Sequence, residues 1–211
     1  MKKSLIAIGL FGIMLFANCT KTPSATHILI DSFLVKNFNY KPGTYWVYKD
    51  SITGEEDSFY VHDNVSTSTS SGNNYNSLED NININIYQNS SANIKQANWF
   101  VNMNGKVLDI RYSGNITIEY VYFLIVPYQL GLLNNSNEDS GYVVSINNSV
   151  SINKKTYAGV VITKHKNNLD SLYPSYNNTF FINNDMGIIK MVLNQGTLHN
   201  IWELEKCNIV K

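Results

Sequence analysis

Apolar residues in this chain recur mainly at every second position, the spacing of a β-strand with one buried and one wet face. The clearest case is residues 81–87, where Asn and Ile alternate. No long helical period competes with this pattern. It predicts strands at residues 44–49, 57–62, 81–87, 99–103, 106–112, 116–126, 142–146, 149–152, 158–165, 179–182, 187–193 and 198–205.

Asparagine and glycine mark the connections between these strands. Asn104-Gly105 suits the positive φ angles of a type I′ turn, so we expect a hairpin from residues 99–103 to 106–112. Residues 65–77 form a Ser/Thr/Asn/Gly tract with little to bury, and we expect a mobile loop there. Residues 130–140 are expected to form a second long connection. The other connections are short, which favours antiparallel neighbours.

The run at 116–126 is apolar at both odd and even positions, so both of its faces need cover. We therefore expect it to be a central strand. The sequence predicts an all-β domain over residues 37–211, built on a single antiparallel, strongly curved sheet or barrel that is lipocalin-like in outline. A β-sandwich is the alternative fold.

The amino-terminal stretch has the anatomy of an export signal. Lys2 and Lys3 precede an apolar run at 5–16, which falls short of the roughly 20 residues that a membrane span needs. With Cys19 after it, the stretch resembles a bacterial lipoprotein signal. The resemblance implies a signal helix and peptide over 1–18, acylation of Cys19 and a tether over 19–36. Thr20 in place of Asp then favours the outer membrane, with the domain on its periplasmic face.

Charge and cysteine content narrow the classes of partner. Sixteen basic and sixteen acidic residues give no formal net charge, so the sequence lacks the positive surface that nucleic-acid binding requires. The second thiol, Cys207, has no partner left if Cys19 is acylated, and we expect it to be a small buried side chain. We expect no cofactor.

The search for catalytic and metal-binding motifs is negative. The four histidines show no metal-ligand spacing, and no nucleophile elbow, phosphate loop or dinucleotide fingerprint is present. His62 beside Asp63, and His165 between two lysines, are expected to be solvent-exposed because adjacent strand residues face opposite sides. We therefore expect no metal site and no catalysis.

Aromatic side chains are the remaining candidates for binding. Such side chains fill cores, but Tyr and Trp also line pockets because they combine broad apolar faces with a polar tip. The candidate pocket aromatics are Trp46, Tyr48, Tyr60, Trp99, Tyr120, Tyr122 and Trp202.

Several short motifs along the domain are similar to those of Bacteroidota envelope lipoproteins, a group with no agreed activity. They are GTYWVY at 43–48, YAGVV at 157–161, GIIK at 187–190 and WEL at 202–204. Asp-Ser-aliphatic triplets at Ser51 and Ser171 resemble the O-glycosylation motif of exported proteins from this phylum. The expected function is an outer-membrane-anchored module that binds an apolar small molecule or an envelope protein. A structural or assembly subunit is the alternative, and a hydrolase is less favoured.

Overall fold

In the computed structural model, the described residues are 26–71, 77–88, 98–113, 118–125, 131–135, 139–167, 176–195 and 197–211. The predicted signal, Cys19 and Ser171 lie outside them. For Trp99, Tyr120 and Tyr122 the structure describes the strand backbone only.

The described residues form one short helix and a set of strands that pair into a single sheet. In chain order they are β1 (Thr26–Ile28), α1 (Ser32–Phe38), β2 (Tyr45–Asp50), β3 (Glu56–Ser71), β4 (Ser77–Gln88), β5 (Asn98–Asn104), β6 (Val107–Ser113), β7 (Ile118–Ile125), β8 (Gly131–Asn135), β9 (Asp139–Ile152), β10 (Lys155–Asn167), β11 (Tyr176–Asn183), β12 (Gly187–Gln195) and β13 (Leu198–Asn208).

The sheet is a strongly curved antiparallel half-barrel. Its order is β7-β6-β5-β4-β3-β2-β13-β12-β11-β10-β9-β8, and β1 adds to β4 in parallel. Nearly every strand thus pairs with its neighbour in sequence, and β13 pairs back with β2. The two ends of the sheet, β7 and β8, are consecutive in the chain. The predicted all-β class with one strongly curved sheet is confirmed, and the sandwich alternative is not the fold adopted by the described chain.

Three local predictions are wrong. Residues 65–71, expected to be a loop, continue β3, where Val65 to Ser71 pair with Asn83 to Ser77 of β4. Their Ser/Thr composition gave no burial signal, but backbone pairing to the Asn-Ile strand holds them in register. Part of the expected loop at 130–140 is β8. The strand expected to be central, β7, lies at one end of the sheet path.

The hairpin at Asn104-Gly105 is confirmed, with its turn displaced by one residue. Asn104 pairs with Val107, so the two-residue loop is Gly105-Lys106, with Gly105 at φ +51°. The backbone angles of a type I′ turn occur instead in the hairpin between β9 and β10. There Ile152 pairs with Lys155, and the intervening Asn153 and Lys154 both have positive φ. Lys at such a position is uncommon, which is why its sequence gave no turn signal.

The buried apolar side chains of the described residues form one cluster. Asp31 caps the amino end of helix α1, where its carboxylate accepts a hydrogen bond from the backbone N–H of Phe33 at 2.8 Å. The helix buries Leu34 and Phe38 in the same cluster. The fully buried strand residues of this cluster include Ile84, Met103, Leu108, Val160, Val161, Ile182 and Ile189.

Candidate functional site

Two of the predicted pocket aromatics, Trp46 and Tyr48, lie in the core and use their polar tips to bind backbone. Trp46 and Tyr48 are 4% and 5% exposed. The indole N–H of Trp46 donates to the carbonyl of Met186 at 2.7 Å, and the Tyr48 hydroxyl donates to the carbonyl of Ile188 at 2.8 Å. Burial raises the pKa of Tyr48, which keeps its hydroxyl protonated as a donor. Both side chains therefore hold the turn between β11 and β12 against β2.

The space beside these aromatics is a cavity of about 40 Å³. Drug-sized ligands need pockets of roughly 300–1,000 Å³, so this cavity is far too small for one. The cavity is small because aromatic rings pack against each other beside it. The rings of Tyr40 and Trp46 meet edge to face with centroids 5.0 Å apart, and those of Tyr48 and Phe59 with centroids 5.8 Å apart. The cavity is lined by Phe38, Tyr40, Trp46, Tyr48, Phe59, Ile86, Val101, Ile182, Gly187 and Ile188.

The other candidate aromatics are dispersed. Tyr60 is exposed and packs edge to face on Tyr87, with ring centroids 6.1 Å apart. Trp202 is half-buried and lies opposite Asp50 and Met191 in the strand register. The four candidates whose side chains the structure describes, Trp46, Tyr48, Tyr60 and Trp202, therefore do not share one pocket.

A larger opening lies where β3 and β4 extend past β2. We call residues 65–71 of β3 and 77–83 of β4 the arm, since they pair with each other beyond the last β2 pair, Tyr45 with Tyr60. The arm cleft, of about 470 Å³, lies between the arm and the segment that leads into α1. It is lined by Leu29, Ile30, Val35 and Ile82, which are apolar, and by Ser66, Thr67, Ser68, Asp80 and Asn81, which are polar.

The polar side of the arm cleft is organised around Asp80. The hydroxyl of Ser68 lies 2.6 Å from the Asp80 carboxylate, and Nε2 of His27 lies 2.9 Å from it. These two hydrogen bonds, that of Ser68 being the stronger influence, lower the pKa of Asp80. Asp80 is therefore a carboxylate at neutral pH, and it gives the arm cleft a negative wall.

Ser68, Asp80 and His27 include the residue types of a hydrolytic triad, but their order differs from that of a triad. In a triad, His lies between Ser and the carboxylate, so that the imidazole takes the hydroxyl proton. Here Asp80 lies between the other two, and the Ser68 hydroxyl is bonded to the carboxylate. This geometry gives no support to the hydrolase alternative.

His62 is exposed, as expected, but its orientation differs from the prediction, and His165 differs in burial. His62 and Asp63 were expected to face opposite sides, yet His62 Nδ1 lies 2.9 Å from the Asp63 carboxylate, because the register shifts between Val61 and Asp63. His165 was expected to be exposed and is buried. Among the described residues, no three His, Cys, Asp or Glu side chains come together as a metal site would require.

Burial raises the pKa of the Cys207 thiol, although Lys155 acts in the opposite direction. The thiol is half-buried and neutral rather than a reactive thiolate.

Asp50 and Ser51, the first two residues of one predicted glycosylation triplet, have different environments. Ser51 is exposed in the turn after β2, while Asp50 is fully buried. Burial opposes the ionisation of Asp50, but hydrogen bonds from the Asn200 amide and from nearby backbone N–H groups, including that of Ile52, outweigh it and lower its pKa. The structure thus gives this Asp a role in joining β2 to β13.

Sequence reasoning missed the arm cleft. Most of its apolar lining comes from residues 29–35, which lie in the stretch assigned to the tether, and its hydroxyl groups come from residues 66–68 of the expected loop at 65–77. The available signal was the β-branched content of residues 65–69, where Val and Thr alternate with Ser.

Comparison with protein-family models, with curated proteins and with solved structures gave no significant match. In the part of the chain that the structure describes, no helix has the length and apolar character of a membrane span.

Replacing Gly187 by Ala should destabilise the fold through the aromatic cluster. Gly187 has φ +81°, and a Cβ there would lie 2.7 Å from the Tyr40 hydroxyl. Positive φ and overpacking together should lower the free energy of unfolding by about 2–4 kcal/mol. The control is Gly54→Ala, because Gly54 has φ +79° and its Cβ would meet nothing within 4 Å. Urea unfolding measures both, and equal losses would contradict a role for the Tyr40 contact.

Replacing Asp50 by Asn should reduce stability in a pH-dependent way. The lowered pKa of Asp50 means that its stabilisation is present above the unfolded-state value, about 3.9, and is lost as pH falls through the folded-state value. Asp50→Asn should cost about 1–3 kcal/mol at pH 7, with the difference from wild type shrinking in acid. Burial instead raises the pKa of Asp57, so Asp57→Asn should not show this loss at pH 7. Urea unfolding from pH 2 to 7 checks the pair; a pH-independent deficit in Asp50→Asn would refute the assignment.

Proposed function

We propose that this protein is a lipid-anchored module of the bacterial outer membrane that binds a ligand in the arm cleft and does not act as an enzyme. The observation that carries the binding site is the contrast between the two cavities. The cavity beside Trp46 and Tyr48 holds only about 40 Å³, whereas the arm cleft offers about 470 Å³, within the usual range for ligand sites.

The lining of the arm cleft favours a ligand with two different sides. Leu29, Ile30 and Val35 supply apolar surface along one side, while Ser66 and Asp80 supply hydrogen-bonding groups along the other. Leu29 is 64% exposed, so it has apolar surface left to bury on binding. The ligand of this proposal is therefore apolar along one edge and polar along the other.

The proposed anchor lies close to this site along the chain. Cys19 is seven residues before Thr26, the first residue of β1, and seven extended residues span at most about 25 Å. Leu29 and Ile30 follow β1 directly. Acylation at Cys19 would therefore hold the arm cleft near the membrane surface, where envelope ligands and partners are found.

A structural or assembly subunit remains the second candidate, favoured by the two ends of the sheet. In the described chain β7 is hydrogen-bonded only to β6 and β8 only to β9; β7 and β8 approach each other, but no ladder joins them, which leaves one edge of each without a hydrogen-bonded partner strand. Such edges pair readily with other chains.

The anchor is tested by Cys19→Ser, with Cys207→Ser as the matched control. We expect radiolabelled palmitate to mark the wild type and Cys207→Ser, and Cys19→Ser to lose both the label and its outer-membrane fractionation. Label in Cys19→Ser, or none in the wild type, would refute the anchor.

The arm cleft is tested with the fluorescent apolar probe N-phenyl-1-naphthylamine, added to chains that carry Ser at position 19. Leu29→Asp should weaken probe binding at least roughly fivefold, because a carboxylate replaces apolar surface in the cleft. Ile52→Asp is the control, since Ile52 is 55% exposed in the turn after β2. Equal effects of the two substitutions would show that the probe binds elsewhere.

A further inference from the structure

One edge of the arm is an open strand edge. Strand β3 pairs with β2 only from Glu56 to Tyr60, yet it continues to Ser71. The Val61 N–H still donates to the carbonyl of Thr44, and the Asn64 amide bonds to the carbonyl of Tyr40. Beyond Asn64, no described residue pairs with this edge, and residues 65–70 are exposed.

The open edge carries none of the features that usually prevent strand addition. Natural edges are protected by charged residues, proline or bulges. Residues 65–71 read Val-Ser-Thr-Ser-Thr-Ser-Ser, with no charge and no proline, and their register with β4 is continuous. On the opposite edge of the arm, β1 already adds to β4 in parallel. The arm thus accepts an added strand on one side and presents a free edge on the other.

The arm cleft lies beside this free edge. Ser66, Thr67 and Ser68 of β3 line it together with Leu29, Ile30, Val35 and Ile82. Side chains of a strand alternate between its two faces, so a segment that paired with β3 would direct every second side chain to the face of the cleft. Main-chain pairing with pockets for alternate side chains is a recurring mode of peptide recognition.

Charge determines which kind of segment fits. Residues 56–88 contain five carboxylates and no Lys or Arg. The pKa of Asp63 is lowered mainly by a hydrogen bond from His62. The pKa of Asp80 is lowered mainly by a hydrogen bond from Ser68, so both side chains are carboxylates at neutral pH. A second copy of the arm, or an anionic lipid surface, would meet like charge. A segment with Lys or Arg would meet opposite charge.

We propose that the free edge of residues 65–71 binds an extended basic polypeptide segment by strand addition, with its apolar side chains entering the arm cleft at alternate positions. This inference rests on the proposed role of the arm cleft as a ligand site, and it names the class of ligand. The carboxylates on β3 and β4 attract the Lys or Arg side chains, while the backbone of β3 supplies the pairing.

The test uses the lipidated mature protein in phosphatidylcholine vesicles, which carry no net charge. The probe is a fluorescein-labelled octapeptide of alternating Val and Lys, followed by fluorescence anisotropy. One control peptide alternates Val and Glu. The other has the Val-Lys sequence but is N-methylated at four consecutive central residues, so that the central part of neither edge can donate hydrogen bonds. We expect saturable binding of the first peptide, and binding at least roughly tenfold weaker for each control.

Two further measurements locate the bound peptide. Amide hydrogen exchange at residues 65–71 should slow with the Val-Lys peptide and not with the N-methylated one. Asp80→Asn should weaken binding roughly fivefold at low salt, whereas Glu55→Gln should leave it unchanged, since Glu55 is exposed in the turn between β2 and β3.

Equal binding of the N-methylated peptide would overturn strand addition, and equal binding of the Val-Glu peptide would overturn the charge argument. A dimer of the protein alone that protects residues 65–71 would assign the edge to a second copy and also overturn the proposal. If naphthylamine binding depends on Leu29 while no peptide binds, the arm cleft is a ligand site of another class and only this inference fails. If neither probe binds, both proposals fail.

Discussion

The half-barrel depends on two hydrogen bonds that cross its inner face without following the strand ladder. Trp46 and Tyr48 of β2 donate to carbonyls of Met186 and Ile188, at and just after the β11–β12 turn, although β13 lies between β2 and β12 in the sheet. A flat sheet would hold those groups too far apart. The bonds therefore require curvature, and a flatter sheet would leave both donors buried without their partners, which is costly. Gly187 lets the turn approach Tyr40 closely, which completes the cluster.

That constraint leaves little room for a ligand beside the aromatic side chains of β2. A curved sheet with an open interior could hold an apolar molecule, but here the rings of β2 and of the segment after α1 occupy the space and leave about 40 Å³. Helix α1 adds Leu34 and Phe38 to the same filling. In the described residues, a larger opening lies where the sheet runs beyond this packing. The arm is such a place, because β3 outruns β2 by the full length of residues 61–71.

The sequence predicted most of the strands because their register is set by burial. In β4, Ile82, Ile84 and Ile86 face the core and the intervening Asn residues do not, so the alternation can be read directly. Where backbone pairing holds a segment whose side chains are not buried, the sequence shows no apolar alternation. Residues 65–70 are such a segment, which is why the sequence predicts a loop there. The run at 116–126 was expected to be a central strand because it is apolar on both faces, yet β7 lies at one end of the sheet. Apolar content on both faces does not reveal a strand's position in the sheet.

The candidate site escaped prediction for a related reason. Aromatic residues drew attention to Trp46 and Tyr48, yet these are the residues whose polar tips are satisfied within the fold. The arm cleft combines segments more than 30 residues apart, residues 29–35 with 66–82, and neither segment carries a motif. Its location becomes apparent only from the parallel pairing of β1 with β4, which brings the start of the domain to the arm.

The free edge of the arm selects its partner by charge. Residues 65–71 have no charge of their own, but Glu79 and Asp80 lie on the strand paired with them. These carboxylates disfavour self-association and leave the edge open to a basic strand. If Cys19 is acylated, the seven-residue span from Cys19 to Thr26 also places the start of β1 within about 25 Å of the lipid attachment, and the arm that β1 joins lies near the membrane surface. A partner in the same membrane would then meet it at high effective concentration, so weak pairing of a short strand would suffice.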